Sequence, residues 1–126
     1  MGLPLVVAIT GATGVIYGVE LMRVLKELNV STHLVLSESA VRNINIETEY
    51  TVDEIKAMAD EVHNNKNIGA SIASGSFQTR GMIVAPCTIK TLSGVANSFN
   101  DNLVVRASDV TLKEKRPLIL MVRETP

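Results

Sequence analysis

A glycine-containing loop near the start of the chain is the first segment whose residue types could do chemistry. Gly11-Ala12-Thr13-Gly14 follows a continuous apolar run, Leu3–Ile9, and precedes residues with helical spacing. Backbone N–H groups at the start of a helix attract anions such as phosphate. The spacing of Gly11, Gly14 and Gly18 is not the dinucleotide fingerprint G-x-G-x-x-G, and the chain has no G-x-x-x-x-G-K-[ST] loop. The loop therefore favours a mononucleotide with one phosphate, while tight packing of strand on helix would also explain the glycines.

Charged residues and the single cysteine are the next side chains that could take part in chemistry. Arg106 and Lys113 stand on one predicted helix face with Asp109 between them. Taken alone, this spacing favours an exposed ladder of ion pairs, each worth roughly a few tenths of a kcal/mol. Glu47 taken alone is a surface carboxylate. Cys87 is expected to be a small buried hydrophobic residue rather than a nucleophile.

Apolar runs alternate with amphipathic segments along the chain. Four runs predict buried strands: Leu3–Ile9, Thr32–Leu36, Met82–Ala85, which Pro86 stops, and Leu118–Val122. Helices are predicted around Leu21–Leu28, from the capping box Thr51–Glu54 through about Val62, over Thr91–Ala96 and over Leu103–Lys115. This alternation predicts right-handed βαβ units. The predicted fold class is α/β: an open, doubly wound parallel sheet in three αβα layers, Rossmann-like or flavodoxin-like, with residues 1–126 as one domain.

Each predicted strand ends in a short polar segment. These segments are Thr10–Gly14, Ser37–Ser39, Pro86–Thr88 and Arg123–Thr125. In open parallel sheets, ligands bind outside the carboxyl ends of the strands. We therefore expect a crevice for a small anionic ligand at this edge, although strand ends are also simply where turns occur.

Composition excludes several classes of function. The 126 residues are 46% hydrophobic and 20% charged with a net charge of −1, which gives no electrostatic footprint for nucleic acid or an anionic membrane. The apolar runs are far shorter than the roughly 20 residues of a membrane span. Cys87 is the only cysteine, which fits a reducing cytoplasm. With only His33 and His63 beside it, no spacing typical of a metal site exists.

Longer segments resemble one family. They are Thr10–Gly18, Ala73–Thr79, Gly81–Cys87, Lys90–Leu92, Asp101–Leu103, Arg106–Val110, Leu112–Glu114, Arg116–Leu118 and Arg123–Pro126. In this order they resemble the UbiX-type flavin prenyltransferases, which carry the older name of phenylacrylic or aromatic acid decarboxylases. True decarboxylases of the wider flavoprotein group carry a histidine after the second strand and a PxANT-type segment. This chain has Pro86-Cys-Thr-Ile89 instead, and His63 lies in a different context, which favours the prenyltransferase branch.

The resemblance implies an activity and its partners. The enzyme would join a dimethylallyl group from dimethylallyl phosphate to N5 and C6 of reduced FMN, without a metal. A UbiD-type decarboxylase would use the prenylated FMN. The family forms large homo-oligomers, dodecamers among them. A homo-oligomer is also expected because 3% aromatic residues and no tryptophan leave little with which to cover a flavin ring.

The resemblance also assigns residues. The FMN-binding positions would be Gly11, Ala12, Thr13, Ser37, Thr88, Ile89, Lys90, Thr91 and Arg123. The catalytic positions would be Thr13, Glu47, Arg106, Lys113 and Glu124, with Glu47 helping to move protons and the others near the phosphate and the reactive end. Thr13 and Thr88 replace serines common in the family and keep the hydroxyl. Ser74-Gly75-Ser76 would form a loop over the substrate, although turn chemistry alone would explain it.

The resemblance leaves three points open. Family members continue beyond the position of Pro126 with a helix, a strand and a C-terminal segment that add a tyrosine and basic residues to the substrate site. This chain is therefore expected to lack that part of the family domain. An FMN-dependent aromatic acid decarboxylase and a non-catalytic flavin-binding subunit stay open as alternative functions. The pathway served is either ubiquinone synthesis or phenolic acid breakdown.

Overall fold

The computed structural model describes residues 2–123. Its helices and strands, in chain order, are β1 (Leu5–Ile9), α1 (Val15–Glu27), β2 (Thr32–Leu36), α2 (Glu38–Glu47), α3 (Val52–Lys56), β3 (Glu61–Asn64), β4 (Gly81–Cys87), α4 (Ile89–Ala96), α5 (Leu103–Lys113) and β5 (Leu118–Val122). A short 3₁₀ turn, Ser71–Ala73, lies between β3 and β4. No helix within residues 2–123 combines the length and apolar composition that crossing a membrane requires.

The five strands form one parallel sheet in the order β3-β2-β1-β4-β5. The chain winds outward from β1 to β3 and then returns to the other side of β1 for β4 and β5. Such a reversal of direction leaves a crevice outside the carboxyl ends of the two strands where it occurs. The predicted fold class, an open doubly wound α/β sheet of the flavodoxin-like kind, is confirmed, and the crevice is expected between β1 and β4.

Helices cover both faces of the sheet. Because successive side chains of a strand point to opposite faces, β1 directs Val6 and Ala8 to one side and Val7 and Ile9 to the other. The first pair packs in a core with α5 and the 3₁₀ turn. The second pair packs in a core with α1, α2 and α3. Burial on both faces explains why the β1 run is continuously apolar rather than alternating.

The β3 strand corrects the sequence prediction. The helix that was predicted from the Thr51 capping box through about Val62 ends at Lys56, and Glu61–Asn64 pairs with β2 instead. Asp60 explains the change, because its carboxylate accepts a hydrogen bond from the backbone N–H of Thr32 at 2.8 Å. The Asp60 N–H also donates to the Thr32 carbonyl at 3.1 Å, which joins this segment to the edge of β2. Such a short, largely exposed edge strand has no apolar run to reveal it.

Other elements and boundaries also differ from prediction: β1 begins at Leu5 rather than Leu3, and α4 begins at Ile89 rather than Thr91. The α2 helix was not predicted, because it buries only Ala40 and Ile44 and so has a narrow apolar stripe. The β4 strand continues through Pro86, contrary to the prediction that Pro86 stops it. Proline lacks only the N–H donor, and its carbonyl still accepts hydrogen bonds from Thr10. The α5 helix ends at Lys113, just before Lys115 turns to a left-handed φ of 58°.

Candidate functional site

The carboxyl ends of β1, β2 and β4 open into a cavity of about 530 Å³. This volume lies in the range of small-molecule sites. Hydroxyl side chains dominate its walls, namely Thr10, Ser37, Ser39, Thr88, Thr91 and Ser93. Lys90 and Asp101 are the charged residues among the described ones that line it. Its walls can donate many hydrogen bonds while carrying little net charge.

Thr10 joins the two strands that flank the crevice. It is 2% exposed, and its hydroxyl donates to the Pro86 carbonyl at 2.7 Å. The same oxygen accepts a hydrogen bond from the Thr88 backbone N–H at 2.9 Å. Because both bonds cross from β1 to β4, the Thr10 side chain fixes the distance between the crevice walls.

Two helices begin at the cavity wall. Ser37 caps α2 by accepting from the Ala40 N–H at 3.1 Å, and Thr88 caps α4 by accepting from the Thr91 N–H at 3.1 Å. Thr88 also donates its hydroxyl proton to the Thr91 hydroxyl at 2.9 Å. The positive ends of both helix dipoles therefore meet at one wall, where an anion would be stabilised.

The glycine loop is held by α2. The backbone N–H of Gly14, which begins α1 at a left-handed φ of 98°, donates to the Glu47 carboxylate at 3.1 Å. The Asn43 amide donates to the Gly11 carbonyl at 2.6 Å. A Cβ at Gly11 would overlap Ser39, so only glycine allows this close approach. One backbone N–H at the start of α1 is thus already bonded to the protein's own carboxylate.

Arg123 brings the end of β5 to the same loop. Its backbone N–H donates to the Cys87 carbonyl at 3.0 Å, which extends the sheet, and its Nε donates to the Thr13 carbonyl at 2.9 Å. The guanidinium carbon lies 5.0 Å from the centre of the Tyr17 ring, within the range of a cation–π contact. The glycine loop next to the cavity is therefore contacted by a carboxylate, Glu47, and by a cation, Arg123.

The described residues offer no evident site for a metal ion. Within residues 2–123 there is no group of three or more His, Cys, Asp or Glu side chains that could hold one. His33 and His63 instead bond to each other, with Nδ1 and Nε2 separated by 2.8 Å.

Comparison with known proteins assigns the family. A profile of the Flavoprotein family matches residues 2–126. A flavin prenyltransferase UbiX from Thauera aromatica is 56% identical over 122 residues, covering 97% of this chain and 63% of that protein. A crystal structure of AnUbiX (PadA1) in complex with FMN and dimethylallyl pyrophosphate superposes with a TM-score of 0.97 at 47% identity, over 100% of this chain and 67% of the other. The chain belongs to the Flavoprotein family, in its UbiX branch.

Another solved relative agrees with this assignment. A dodecameric FMN-dependent UbiX-like decarboxylase from Escherichia coli O157:H7 gives a TM-score of 0.95 at 50% identity, over 98% of this chain and 68% of the other. The chain spans 63% and 65% of the length of the curated relatives from Thauera aromatica and Escherichia coli K12.

Most of the flavin-binding positions expected for this UbiX-branch chain lie at the carboxyl edge. Ser37, Thr88, Lys90 and Thr91 line the cavity. The backbone of Gly11, Ala12 and Thr13 forms the glycine loop beside it, with the Ala12 side chain fully buried. Ile89 is exposed at the first turn of α4, and Arg123 contacts Thr13. Glu124 lies outside the described residues. These roles in flavin binding stay predictions.

Lys113 lies away from that edge, whereas Arg106 is one helical turn from Asn102. The α5 helix begins at the cavity with Asn102 and runs to Lys113, about 15 Å farther along the helix axis. Its far end lies near the amino end of β4, where the Pro117 carbonyl accepts from the Met82 N–H at 3.0 Å. Arg106 is half-buried, and its Nε has no hydrogen-bond partner among the described residues. One chain therefore does not bring Lys113 to Glu47.

The expected substrate loop also lies at the amino edge. The carbonyls of Gly75 and Phe77 accept hydrogen bonds from Arg116 at 2.9 and 3.0 Å, just before β5 begins. A Cβ at Gly75 would lie 3.0 Å from the Glu114 carboxylate. Within a single chain, the Ser74–Ser76 segment thus does not cover the cavity at the carboxyl edge.

The predicted ion-pair ladder forms only in part. Lys113 bonds Asp109 at 2.9 Å, whereas Arg106 makes no such bond in the described part of the chain. Asp109 instead accepts from the Ser98 hydroxyl and the Asn100 amide. The sequence did not predict these two contacts, because Ser98 and Asn100 are residue types common in any turn between helices.

Cys87 agrees with its prediction as a buried hydrophobic residue. The side chain is fully buried at the end of β4, and this burial raises the pKa of the thiol to about 11. Only a trace of thiolate would exist at neutral pH, and the thiolate is the nucleophilic form.

Proposed function

We propose that this chain is a flavin prenyltransferase that joins the dimethylallyl group of dimethylallyl phosphate to N5 and C6 of reduced FMN. One observation carries the proposal: the hydroxyl-lined cavity adjoins a loop contacted by both a carboxylate, Glu47, and a cation, Arg123. A phosphate-bearing ligand in the cavity would then lie beside a group that can move protons. The relatives named flavin prenyltransferase UbiX support this function.

FMN fits the residues at the cavity. Its phosphate would lie where α2 and α4 begin, with Ser37, Thr88, Thr91 and Lys90 as the nearby polar groups. The start of α1 is the less suitable place, because Glu47 already accepts the Gly14 N–H. The Gly11–Thr13 backbone and Arg123 would hold the flavin ring at the crevice between β1 and β4. The hydroxyl-rich lining thus agrees with a phosphate-bearing mononucleotide.

The charged residues divide the tasks of the proposed reaction among them. Reduced FMN, when bound, supplies the atoms that accept the dimethylallyl group. Glu47 is exposed beside the loop and would take up or return the proton that ring closure requires. Arg123 would stabilise negative charge near Thr13. Departure of phosphate leaves negative charge that fixed cations stabilise as it develops, and Lys113 and Arg106 are proposed for this role with Glu124 near the reactive end.

The distant position of Lys113 requires more than one chain. Because Lys113 lies at the far end of α5, it would act at the site of a neighbouring copy in a homo-oligomer. The Ser74–Ser76 segment would cover a neighbour's site in the same way. A dodecameric relative supports assembly of this kind. A UbiD-type decarboxylase as the user of the product, a single FMN-binding domain and a cytoplasmic location complete the proposal.

Incubation with reduced FMN and dimethylallyl phosphate tests the proposal. Mass spectrometry of the released flavin should find FMN heavier by one dimethylallyl unit, and the adduct should be absent when FMN is left oxidised. Glu47→Gln keeps the shape and removes the proton acceptor, so an adduct attached only at N5 should accumulate; it is an isomer of the ring-closed product, so its absorption spectrum rather than its mass identifies it. Binding of FMN without any change in its mass would reject the prenyl transfer and leave a flavin-binding subunit.

One alternative has an observation in its favour. Two solved relatives are described as decarboxylases, the dodecameric UbiX-like protein and a phenylacrylic acid decarboxylase from Aquifex aeolicus at 39% identity. A direct decarboxylase would release CO₂ from phenylacrylic acid without dimethylallyl phosphate. His63 is a poor candidate for its catalytic histidine, because it bonds His33 and does not line the 530 Å³ cavity.

A further inference from the structure

Tyr17 is an aromatic residue that lies outside both hydrophobic cores. It stands in the first turn of α1 and is 48% exposed. The same helix packs on the sheet through Val15, Val19 and Met22, which are fully buried. The ring of Tyr17 is therefore not needed to attach α1 to the sheet, and its contacts are with the glycine loop and Arg123 instead.

Two contacts of different kinds fix the Arg123 side chain. Its guanidinium lies over the Tyr17 ring, with the central carbon 5.0 Å from the ring centre, and its Nε donates to the Thr13 carbonyl at 2.9 Å. The ring itself is tied to the loop, because the Tyr17 backbone N–H donates to the Gly14 carbonyl at 3.0 Å. The loop and the start of α1 thus hold one guanidinium between them.

Gly14 leaves the space in which these groups meet. A Cβ at this position would lie 2.9 Å from the Nε of Arg123 and 3.1 Å from two carbons of the Tyr17 ring. Non-bonded atoms prefer separations of about 3.5–4.0 Å. A side chain at Gly14 would therefore push the ring and the guanidinium away from the loop, so these three residues form one packed group.

The fixed guanidinium retains donors for a ligand. Among the hydrogen bonds of residues 2–123, the Arg123 side chain uses only its Nε. A guanidinium carries five N–H donors in one rigid plane, so the contacts at Nε and at the ring also orient the donors on the two terminal nitrogens. An arginine side chain that is ordered before a ligand arrives loses less conformational entropy on binding.

We propose that Tyr17 is the positioning residue of Arg123: its ring holds the guanidinium at the glycine loop in the orientation in which Arg123 binds the flavin. This inference rests on the proposed function, which places Arg123 at the flavin ring. Tyr17 acts through Arg123 and not by touching the flavin.

Titration with FMN measures the effect of the Tyr17 ring. Tyr17→Leu keeps an apolar side chain that favours a helix but removes the ring, and the Kd for FMN should rise about two- to fivefold, as expected for an exposed cation–π contact. Tyr17→Phe keeps the ring and should bind FMN as the wild type does. Val24→Ala, on the same helix and 38% exposed, is the matched control and should leave the Kd unchanged. An unchanged Kd in Tyr17→Leu would overturn the proposal.

Coupling to Arg123 is the readout that general destabilisation would not move. Arg123→Met removes the guanidinium and should raise the Kd for FMN by more than Tyr17→Leu does. In the Arg123→Met background, Tyr17→Leu should add nothing, because the ring then has no guanidinium to hold. If Tyr17→Leu raised the Kd by the same factor in both backgrounds, the ring would act on the ligand or the loop directly, and the positioning role would be wrong.

These measurements separate the inference from the proposed function. A wild-type chain that bound no FMN would overturn both. Coupling between Tyr17 and Arg123 in a chain that binds FMN but leaves its mass unchanged would support the positioning role and reject the proposed reaction. Prenyl transfer by the wild type, together with an unchanged Kd in Tyr17→Leu, would overturn the positioning role alone.

Discussion

At the scale of single residues, Gly14 is a position where both the backbone conformation and a close neighbour disfavour a side chain. Its φ of 98° is left-handed, and a Cβ there would lie 2.9 Å from the Nε of Arg123. We expect Gly14→Ala to lower the free energy of unfolding by about 1–2 kcal/mol. Urea denaturation measures this change. Gly69→Ala is the control, because its Cβ would meet nothing closer than the Asn67 side chain at 3.6 Å and its φ is ordinary. Equal losses in both variants would contradict the backbone argument.

The histidine pair predicts how stability depends on pH. Burial lowers the pKa of His33 and His63 below the ordinary 6.5, and for His33 the neighbouring imidazole lowers it further. Asp60 and Glu61 partly oppose these shifts, and the uncharged Phe77 ring packs on His33. Below about pH 6.5 the unfolded chain therefore binds more protons than the folded chain, and stability falls as the pH is lowered.

Urea denaturation at about pH 7.5 and about pH 5.5 checks this expectation. The wild type should be less stable at the lower pH, and His63→Gln should show a smaller difference because one titrating group is gone. The carboxylate of Asp109 does not interfere, since its pKa is lowered from 3.8 by its hydrogen bonds to Lys113 and Asn100. A larger pH dependence in His63→Gln would refute the assignment.

At the scale of elements, two helix-capping threonines allow the contribution to folding stability to be measured apart from the contribution to FMN binding. Thr88 and Thr51 each cap a helix by accepting a backbone N–H at 3.1 Å, but only Thr88 lines the cavity. Replacing either by alanine should cost about 1 kcal/mol of folding stability. Only Thr88→Ala should also raise the Kd for FMN, and Thr88→Ser should preserve both properties. Parallel denaturation and flavin titration decide this, and an equal loss of FMN affinity in Thr51→Ala would contradict the proposed phosphate position.

The elements also explain what the sequence could predict. The strands buried on both faces were predictable because their apolar runs, such as Thr32–Leu36, are continuous. The β3 edge strand was not, because its pairing depends on Asp60 and Thr32, which are far apart in sequence. At the site, the hydroxyl-bearing strand ends were predictable from their position. The turn at Ser98–Asn100 and its bonds to Asp109 were not, since hydrogen bonds between distant side chains leave no periodic signal.

At the scale of the whole molecule, the separation of Glu47 from Lys113 predicts complementation between copies. Lys113→Met and Glu47→Gln should each slow prenyl transfer while leaving FMN binding largely intact. Loss of one such stabilising donor typically costs on the order of 10²–10³ in rate. Co-assembly of the two variants should recover activity, because some sites would then receive Lys113 from one copy and Glu47 from another.

The control mixes two preparations of the same variant, which should stay slow. Light scattering should find assemblies larger than one chain in all of these samples. A mixture with no more activity than its components would contradict the sharing of sites. Full activity of both single variants would leave Lys113 as a partner of Asp109 and Glu47 as a cap of α1 alone.

The parallel sheet also divides the surface into two regions with separate consequences for mutation. The carboxyl edge carries the Thr10, Ser37 and Thr88 hydroxyls, whereas the Asn29 turn at the opposite edge carries left-handed backbone and no residue proposed for the site. Substitutions at that turn can therefore shift expression and melting behaviour while the chemistry stays constant. Near Lys113 and the Ser74–Ser76 segment, by contrast, a substitution would change the chemistry in a neighbouring copy.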